Sequence, residues 1–219
     1  MDFVEFWTIC STNGIVLSKE QLNQIKRYHD ELKYWNEKVN LISRQATDEI
    51  LEKHILHSLS VLKYIDIRPK AWCIDIGTGG GLPGIPIAIA KSEINMLLVD
   101  SIAKKMKMTG MFAQHTGLRR LKALHARVEN LANDKVHIGS FDFVFARAVG
   151  KISTLLGWVK KILKKDGKII LFKGGDITEE INDAKKMFPS LNINEKIISI
   201  LGADWFEKDE KKIVICTFN

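Results

Sequence analysis

Apolar positions divide the chain into two regimes. Through residue 66 they recur at helical offsets. Leu22, Ile25, Leu32 and Trp35 form one stripe, opened by Ser18 as N-cap with Glu20 and Gln21 just behind. After Asp48 a second stripe follows: Ile50, Leu51, His54, Ile55, Leu59 and Leu62. Val39-Asn40-Leu41-Ile42-Ser43-Arg44 reads as an ordered connection between the two. Arg68-Pro69-Lys70 closes the helical block, because proline biases the residue before it away from helix.

From Ala71 the pattern changes to short apolar runs alternating with helix-length segments. It predicts strands at Ala71–Ile76, Asn95–Asp100, Leu121–Ala126, Phe141–Ala146 and Lys168–Lys173, with helices near 84–91, 102–115, 152–164 and 178–188. Such alternation implies crossover connections and a parallel sheet covered on both faces. Two last runs, Glu195–Leu201 and Lys211–Phe218, have no helix-length pattern between them and a turn at Gly202-Ala203-Asp204. They predict an antiparallel hairpin at one sheet edge. The expected fold is a doubly wound α/β domain of seven strands over residues 67–219, preceded by a helical extension over residues 1–66.

Composition narrows the function classes. At 219 residues the chain can bury one good core plus a small appendage. No apolar run approaches the ~20 residues of a membrane span. Met1–Cys10 carries Asp2 and Glu5 and lacks the basic start of a secretory signal, so a cytoplasmic location without a membrane partner is expected. The three cysteines, Cys10, Cys73 and Cys216, are too scattered for a disulfide framework or a zinc cluster and read as buried thiols. Charge is uneven. Residues 1–66 hold 8 Lys+Arg against 10 Asp+Glu, whereas residues 67–219 hold 25 against 16. A cationic larger domain suits a polyanionic substrate, although solvated lysines alone would give the same count.

The densest chemical signal is Asp75-Ile76-Gly77-Thr78-Gly79-Gly80-Gly81-Leu82-Pro83-Gly84-Ile85-Pro86, a buried strand running into a glycine turn and then a helix. Glycines there allow positive φ and close approach of backbone to a ligand. One strand later Asp100 ends Leu97-Leu98-Val99-Asp100, placed to accept both hydroxyls of an adenosine ribose. Two cofactors fit. Gly79-x-Gly81-x-x-Gly84 satisfies the dinucleotide fingerprint, but in poor register, and Pro83 removes one N–H that a pyrophosphate would want. Asp75 repels a pyrophosphate and suits a ligand bearing an ammonium and a sulfonium, such as S-adenosylmethionine. No metal-spaced ligand set accompanies the turn.

With its neighbours, the segment Gly77–Pro86 resembles the bacterial ribosomal RNA small subunit methyltransferase G family (glucose-inhibited division protein B). Trp35-Asn36, Asn40-Leu41, His54-Ile55-Leu56, Asp100-Ser101, Lys104-Lys105, Arg127-Val128-Glu129, Arg147-Ala148 and Lys173-Gly174 extend the likeness along almost the whole chain. The resemblance implies a Rossmann-like class I methyltransferase that uses S-adenosylmethionine to methylate N7 of a guanine in 16S ribosomal RNA. It places Gly77, Leu82, Val128, Glu129 and Arg147 at donor-binding positions; loop geometry adds Gly79, Gly81 and Asp100. Two residues depart from the family pattern. Gly80 replaces a usual Pro or Ala and should loosen the loop, and His57 stands where an Asp is usual.

Guanine N7 carries a lone pair and no proton, so its methylation needs alignment rather than a general base. Arg127, Arg147 and Lys173, each near a strand end, are candidates for holding RNA, and Asn40 and His54 for capping the pocket. Glu129 can instead pair with Arg127, Asn40 can cap a helix, and His54 can sit on an apolar helix face. Met106, Met108 and Met111, and Trp7, Trp35 and Trp158, read as packing residues, and Lys160–Lys168 as a solvated helix end with a Gly stop. The expected partner is the small ribosomal subunit, without DNA and without a second copy of the chain. Methylation of another substrate, or RNA binding by a non-catalytic assembly factor, are the competing functions.

Overall fold

The computed structural model describes residues 1–42 and 49–219, so Ser43 and Arg44 of the expected connection, and Asp48 before the second stripe, lie outside the described residues. Helix α1, Phe3–Thr12, is capped by Asp2, whose carboxylate accepts from the N–H groups of Val4 and Glu5. Helix α2, Lys19–Val39, opens with a reciprocal cap between Ser18 and Gln21. The Gln21 amide also donates to the Ile89 carbonyl at 2.8 Å, so the residue that starts α2 docks it on the sheet domain. The second stripe forms a π-helical stretch, Ile50–Leu56, running into α3, His57–Ser60.

Beyond Pro69 the strands and helices alternate: β1 Trp72–Ile76, α4 Gly84–Ala90, β2 Asn95–Asp100, α5 Ala103–His115, β3 Leu121–His125, α6 Val128–Leu131, β4 Phe141–Arg147, α7 Ile152–Val159, β5 Leu163–Gly174, α8 Thr178–Met187, β6 Leu191–Ile197, α9 Trp205–Lys208 and β7 Lys211–Phe218. They build a seven-stranded sheet in the order β3-β2-β1-β4-β5-β7-β6. The first five strands pair in parallel, and β7 runs antiparallel to both β5 and β6. This is the expected Rossmann-like methyltransferase architecture, with its C-terminal antiparallel pair at the edge.

One core covers each face. The first joins Phe6, Ile25 and Leu32 of the N-terminal helices to Ile85, Phe112, Phe145 and Ile213. The second joins Ile74, Val144 and Leu171 to Leu155 and Leu156 of α7 and Ala184 of α8. Residues of α1 and α2 therefore share a continuous core with the sheet. Met106 and Met108 are buried in it with Met111 packed alongside, whereas Trp7 is 45% exposed and is not a core residue.

Three boundaries differ from the sequence pattern. Strand β6 begins four residues before Glu195, because Asn192 and Asn194 weaken the strand signal, and Ile198 and Ile200 are buried beyond its end. The link to β7 contains α9 rather than a bare turn. Helix α7 stops at Val159, and Leu163–Lys168 joins β5 through a register shift opposite Phe141 and Phe143. Lys160 does end the helix as its C-cap, whereas Lys164–Lys168 form an irregular strand start.

Gly157 lies inside α7 with no atom within 4 Å of a Cβ placed on it. Gly157→Ala should therefore stabilise by about 0.5–1 kcal/mol through helix propensity. Thermal unfolding should show a rise of roughly 1–4 °C, and a fall would show hidden crowding.

Candidate functional site

The chain leaves β1 for β2 and β3 on one side, then returns to β4 on the other side of β1. Between β1 and β4 the strand order reverses, and open α/β sheets bind ligands beyond the carboxyl ends there. A cavity of about 910 Å³ lies at this edge. Gly77, Thr78, Gly79, Gly80 and Leu82 enter its wall after β1, Asp100 after β2, Arg147 to Gly150 after β4 and Phe172 to Gly174 from β5. Leu41, Ile42, His54 and His57 reach it from the N-terminal segment, and Trp205, Asp209 and Lys211 from the far end of the chain.

The turn after β1 is held from several sides. Gly77, Gly79 and Gly81 take φ of 65, 56 and 100°, the region that disfavours a Cβ. Asp100 accepts from the Gly79 N–H at 3.0 Å and, through its other oxygen, from the Ile102 N–H at 2.9 Å. Thr109 of α5 donates to the Gly79 carbonyl at 2.6 Å. Tyr28 of α2, fully buried, donates to the Gly80 carbonyl at 2.8 Å, and a Cβ on Gly80 would lie 2.9 Å from Leu32. The freedom conferred by Gly80 is therefore opposed by helix α2.

Asp75 behaves differently from the reading of its position. It is wholly buried and is not on the cavity wall; one oxygen accepts from the Thr78 hydroxyl at 2.6 Å and the Gly84 N–H at 2.9 Å. Its other oxygen is buried without a partner among the described residues. Burial pushes its pKa up to about 7 against those two hydrogen bonds and Arg147. Asp75 thus ties the turn to the start of α4 and does not face a ligand amine directly.

Arg147 ends β4, half-buried, and its guanidinium donates to His54 Nδ1 at 2.9 Å. Burial and the Arg147 charge bring the His54 pKa down to about 3, so its ring is neutral. Lys173 also lines the cavity, but its ammonium is held by the Gly150 carbonyl at 2.9 Å and by Glu180 at 2.7 Å. Glu180 accepts in addition from the Ile152 N–H, so this pair braces the loop after β4. Asn40 is the left-handed C-cap of α2, with φ 52°, and is off the wall.

Gly81, Val128, Glu129 and Arg127 are also off the wall. Val128 and Glu129 open α6 just after β3, whose end is joined to Asp100 by the Ala126 N–H. Arg127 is exposed, and no ion pair joins it to Glu129 among the described residues. Sequence reasoning missed Tyr28, Thr109, Val149, Phe172, Trp205 and Lys211. The nearby turn signal at Gly202-Ala203-Asp204 was the only pointer to Trp205.

Two titrations oppose each other here. Folded Asp75 keeps its proton to about pH 7, whereas the unfolded group releases it near 3.8, so stability falls as pH rises through that window. Folded His54 stays neutral down to about pH 3, whereas the unfolded ring protonates below 6.5, so stability rises with pH between those values. Asp75→Asn removes only the first. Its urea-unfolding free energy should climb more steeply between about pH 4 and 7 than that of the native chain; parallel curves would contradict the Asp75 shift.

The family model described as rRNA small subunit methyltransferase G matches residues 21–210. Ribosomal RNA small subunit methyltransferase G of Chlorobaculum tepidum is 40% identical over 176 residues, 80% of this chain and 79% of the relative. The protein of that name from Lactococcus lactis is 33% identical over 213 residues, 96% of this chain and 88% of the relative. Among solved structures, a fibrillarin/Nop5p complex aligns with a TM-score of 0.58 at 12% identity, covering 74% of this chain and 80% of that one. A ribosomal protein L11 methylase from Lactobacillus delbrueckii aligns with a TM-score of 0.56 at 16% identity, covering 76% and 79%. These two show the fold alone.

Proposed function

The chain belongs to the rRNA small subunit methyltransferase G family, and on that premise we propose that it transfers a methyl group from S-adenosylmethionine to N7 of a guanine in 16S ribosomal RNA. The observation that carries this reading is the junction of a glycine turn, Asp100 and Arg147 around one cavity at the sheet's switch point. A Cβ at Gly77 would fall 2.4 Å from Val149, which also lines the cavity, so a side chain there would press into the ligand space.

Gly77, Gly79, Leu82 and Asp100 are assigned to the donor on the wall, with Gly81, Val128 and Glu129 shaping the turn and the neighbouring strand end. When bound, S-adenosylmethionine supplies an electrophilic methyl on a sulfonium. Asp100 keeps lone pairs for ribose hydroxyls, because each oxygen has a single backbone donor. The turn and the strand ends would hold the donor in one orientation, which is what transfer to an unprotonated ring nitrogen requires. Because guanine N7 carries no proton, the chain's own residues would have only to hold donor and base together, with no proton to remove. This agrees with Arg147 and neutral His54, neither of which is arranged as a base.

Arg147, together with Lys53, Lys105 and Lys211 on the same wall, gives the cavity the cations that a polyanion requires. Arg127 is exposed for RNA contact one strand over. The 1–66 segment is read as a helical extension and residues 67–219 as the donor-binding unit, working as a cytoplasmic monomer on the small ribosomal subunit. No helix among the described residues is long and apolar enough to cross a membrane.

The test is transfer of labelled methyl to small subunits from cells lacking the gene, followed by mapping of the modified base. Label at a guanine N7 is expected. Binding of S-adenosylhomocysteine without transfer to any ribosomal substrate would favour a different methyl acceptor. Failure to bind it at all would favour the non-catalytic assembly factor.

A further inference from the structure

The sheet face away from the N-terminal helices is covered unevenly. The crossover from β3 to β4 carries the short helix α6, four residues and about 6 Å long, whereas β1 to β3 each run about 17–20 Å. The amino ends of these strands therefore stay open on that face. A second cavity, of about 640 Å³, occupies the gap. Its walls are Trp72 of β1, Asn95 and Leu97 of β2, Lys122 of β3, and Val136 and Phe141 of the segment entering β4. Trp72 and the glycine turn sit at opposite ends of β1, about 17 Å apart.

Open apolar surface and cations meet here. Trp72 is 52% exposed and Val136 76%, surface that folding has left in water. Lys122 is exposed on the same wall. Asp142 accepts from the Trp72 N–H and the Lys164 ammonium at 2.8 Å each, and through its other oxygen from the Arg68 guanidinium at 2.8 Å. One carboxylate thus holds two cations beside Trp72, which leaves a net positive charge. The acid of the loop into β4, Asp134, is bonded to His137 at 3.0 Å. Lys164 also lines an adjoining cavity, where Arg68, Lys165 and Lys168 outnumber Asp66 and Asp166, so the cationic surface continues past Trp72.

We propose that this cavity takes one base of a single-stranded RNA segment, stacked on Trp72, with the flanking phosphates on Lys122 and Lys164. Single-strand sites combine aromatic platforms with a cationic track in this way. The volume lies within the roughly 300–1,000 Å³ of small-molecule sites, room enough for a nucleotide. The order of the strands supplies the spacing. In β3-β2-β1-β4-β5, Trp72 stands at the centre, and Lys122 and Lys164 lie two strands away on either side, about 10 Å each. Cation, indole and cation in sequence match a nucleotide, whose base lies between two phosphodiesters. An acidic peptide would meet the same charges but would offer the indole no flat partner. A second copy of the chain is opposed by its own net charge of +7. The assignment rests on the rRNA reading above and adds a contact remote from the switch-point cavity.

The full-length chain, saturated with S-adenosylhomocysteine, is titrated into fluorescein-labelled octauridylate and followed by anisotropy; uridine has no N7, so this RNA is not a methyl acceptor. Trp72→Ala should weaken binding about fivefold or more, and Trp72→Phe, which keeps a ring, should restore most of the affinity. Lys122→Ala combined with Lys164→Ala should lower the slope of log affinity against log salt by about 1.4. In methyl transfer to small subunits the same variants should raise KM and leave kcat unchanged, because the surface is far from the reacting atoms. Unchanged affinity for S-adenosylhomocysteine certifies that the variants are folded. Native affinity in Trp72→Ala, or an unaltered salt slope in the lysine pair, overturns the RNA surface. Equally tight, Trp72-dependent binding of a peptide of alternating leucine and glutamate also overturns it, by assigning the face to protein. If small subunits accept no methyl but octauridylate still depends on Trp72, the methylation reading falls and the RNA surface stands.

Discussion

Alanine at position 77 should weaken binding of S-adenosylhomocysteine roughly 30- to 100-fold, read by calorimetric titration. Two costs combine. Gly77 has φ 65°, where an L side chain costs about 1–2 kcal/mol. The new Cβ would also lie 2.4 Å from Val149 Cγ2. A β-branched valine has little rotamer freedom to yield, so its displacement adds about 1 kcal/mol. The sum, about 2–3 kcal/mol, corresponds to that loss when the strain is relieved by opening the turn. Affinity within threefold of the native value would remove this turn from the donor site.

The largest stability effect is expected at Gly84, the first residue of α4. A Cβ there meets Leu98 Cδ2 at 2.3 Å and the Asp75 carboxylate at 2.8 Å, with both neighbours fully buried. Overpacking costs about 1–3 kcal/mol, and displacing Asp75 loosens its bonds to Thr78 and Gly84, at about 1 kcal/mol each. Gly84→Ala should destabilise by about 3–5 kcal/mol, a drop of roughly 6–20 °C in Tm. A loss below 1 kcal/mol would mean that Leu98 and the strand behind it move freely.

Much of the molecule was legible because its signals are local. The alternation of periods located β1, β2, β4 and β7 and helices α4, α5 and α8 to within a residue or two, and Ser18 marked the start of α2. The glycine turn and Asp100 were readable because backbone conformation and strand ends are written in adjacent residues. What escaped depends on meetings through space. Tyr28 reaches Gly80 across 52 positions, and His57 meets Trp205 from opposite ends of the chain. Asp75 was read as facing a ligand because it precedes the glycines; whether its carboxylate turns outward or back to Gly84 is set by tertiary packing. The sequence offers Lys173 for holding RNA, whereas its brace to Glu180 depends on how α8 lies against the loop. The start of β6 was lost among residues whose side chains are largely solvent-exposed at the sheet edge.

The contact between α2 and Gly80 carries an evolutionary consequence. Methyl-sized volume at position 80 would meet Leu32 at 2.9 Å and Leu41 at 3.2 Å, while the Tyr28 hydroxyl anchors the same peptide. Bulk can pass from helix to turn, or back again, only by reciprocal exchange. Descendants that trade this glycine for a larger residue should carry compensating trimming at 32 or 41, so that the three sites covary as one heritable unit.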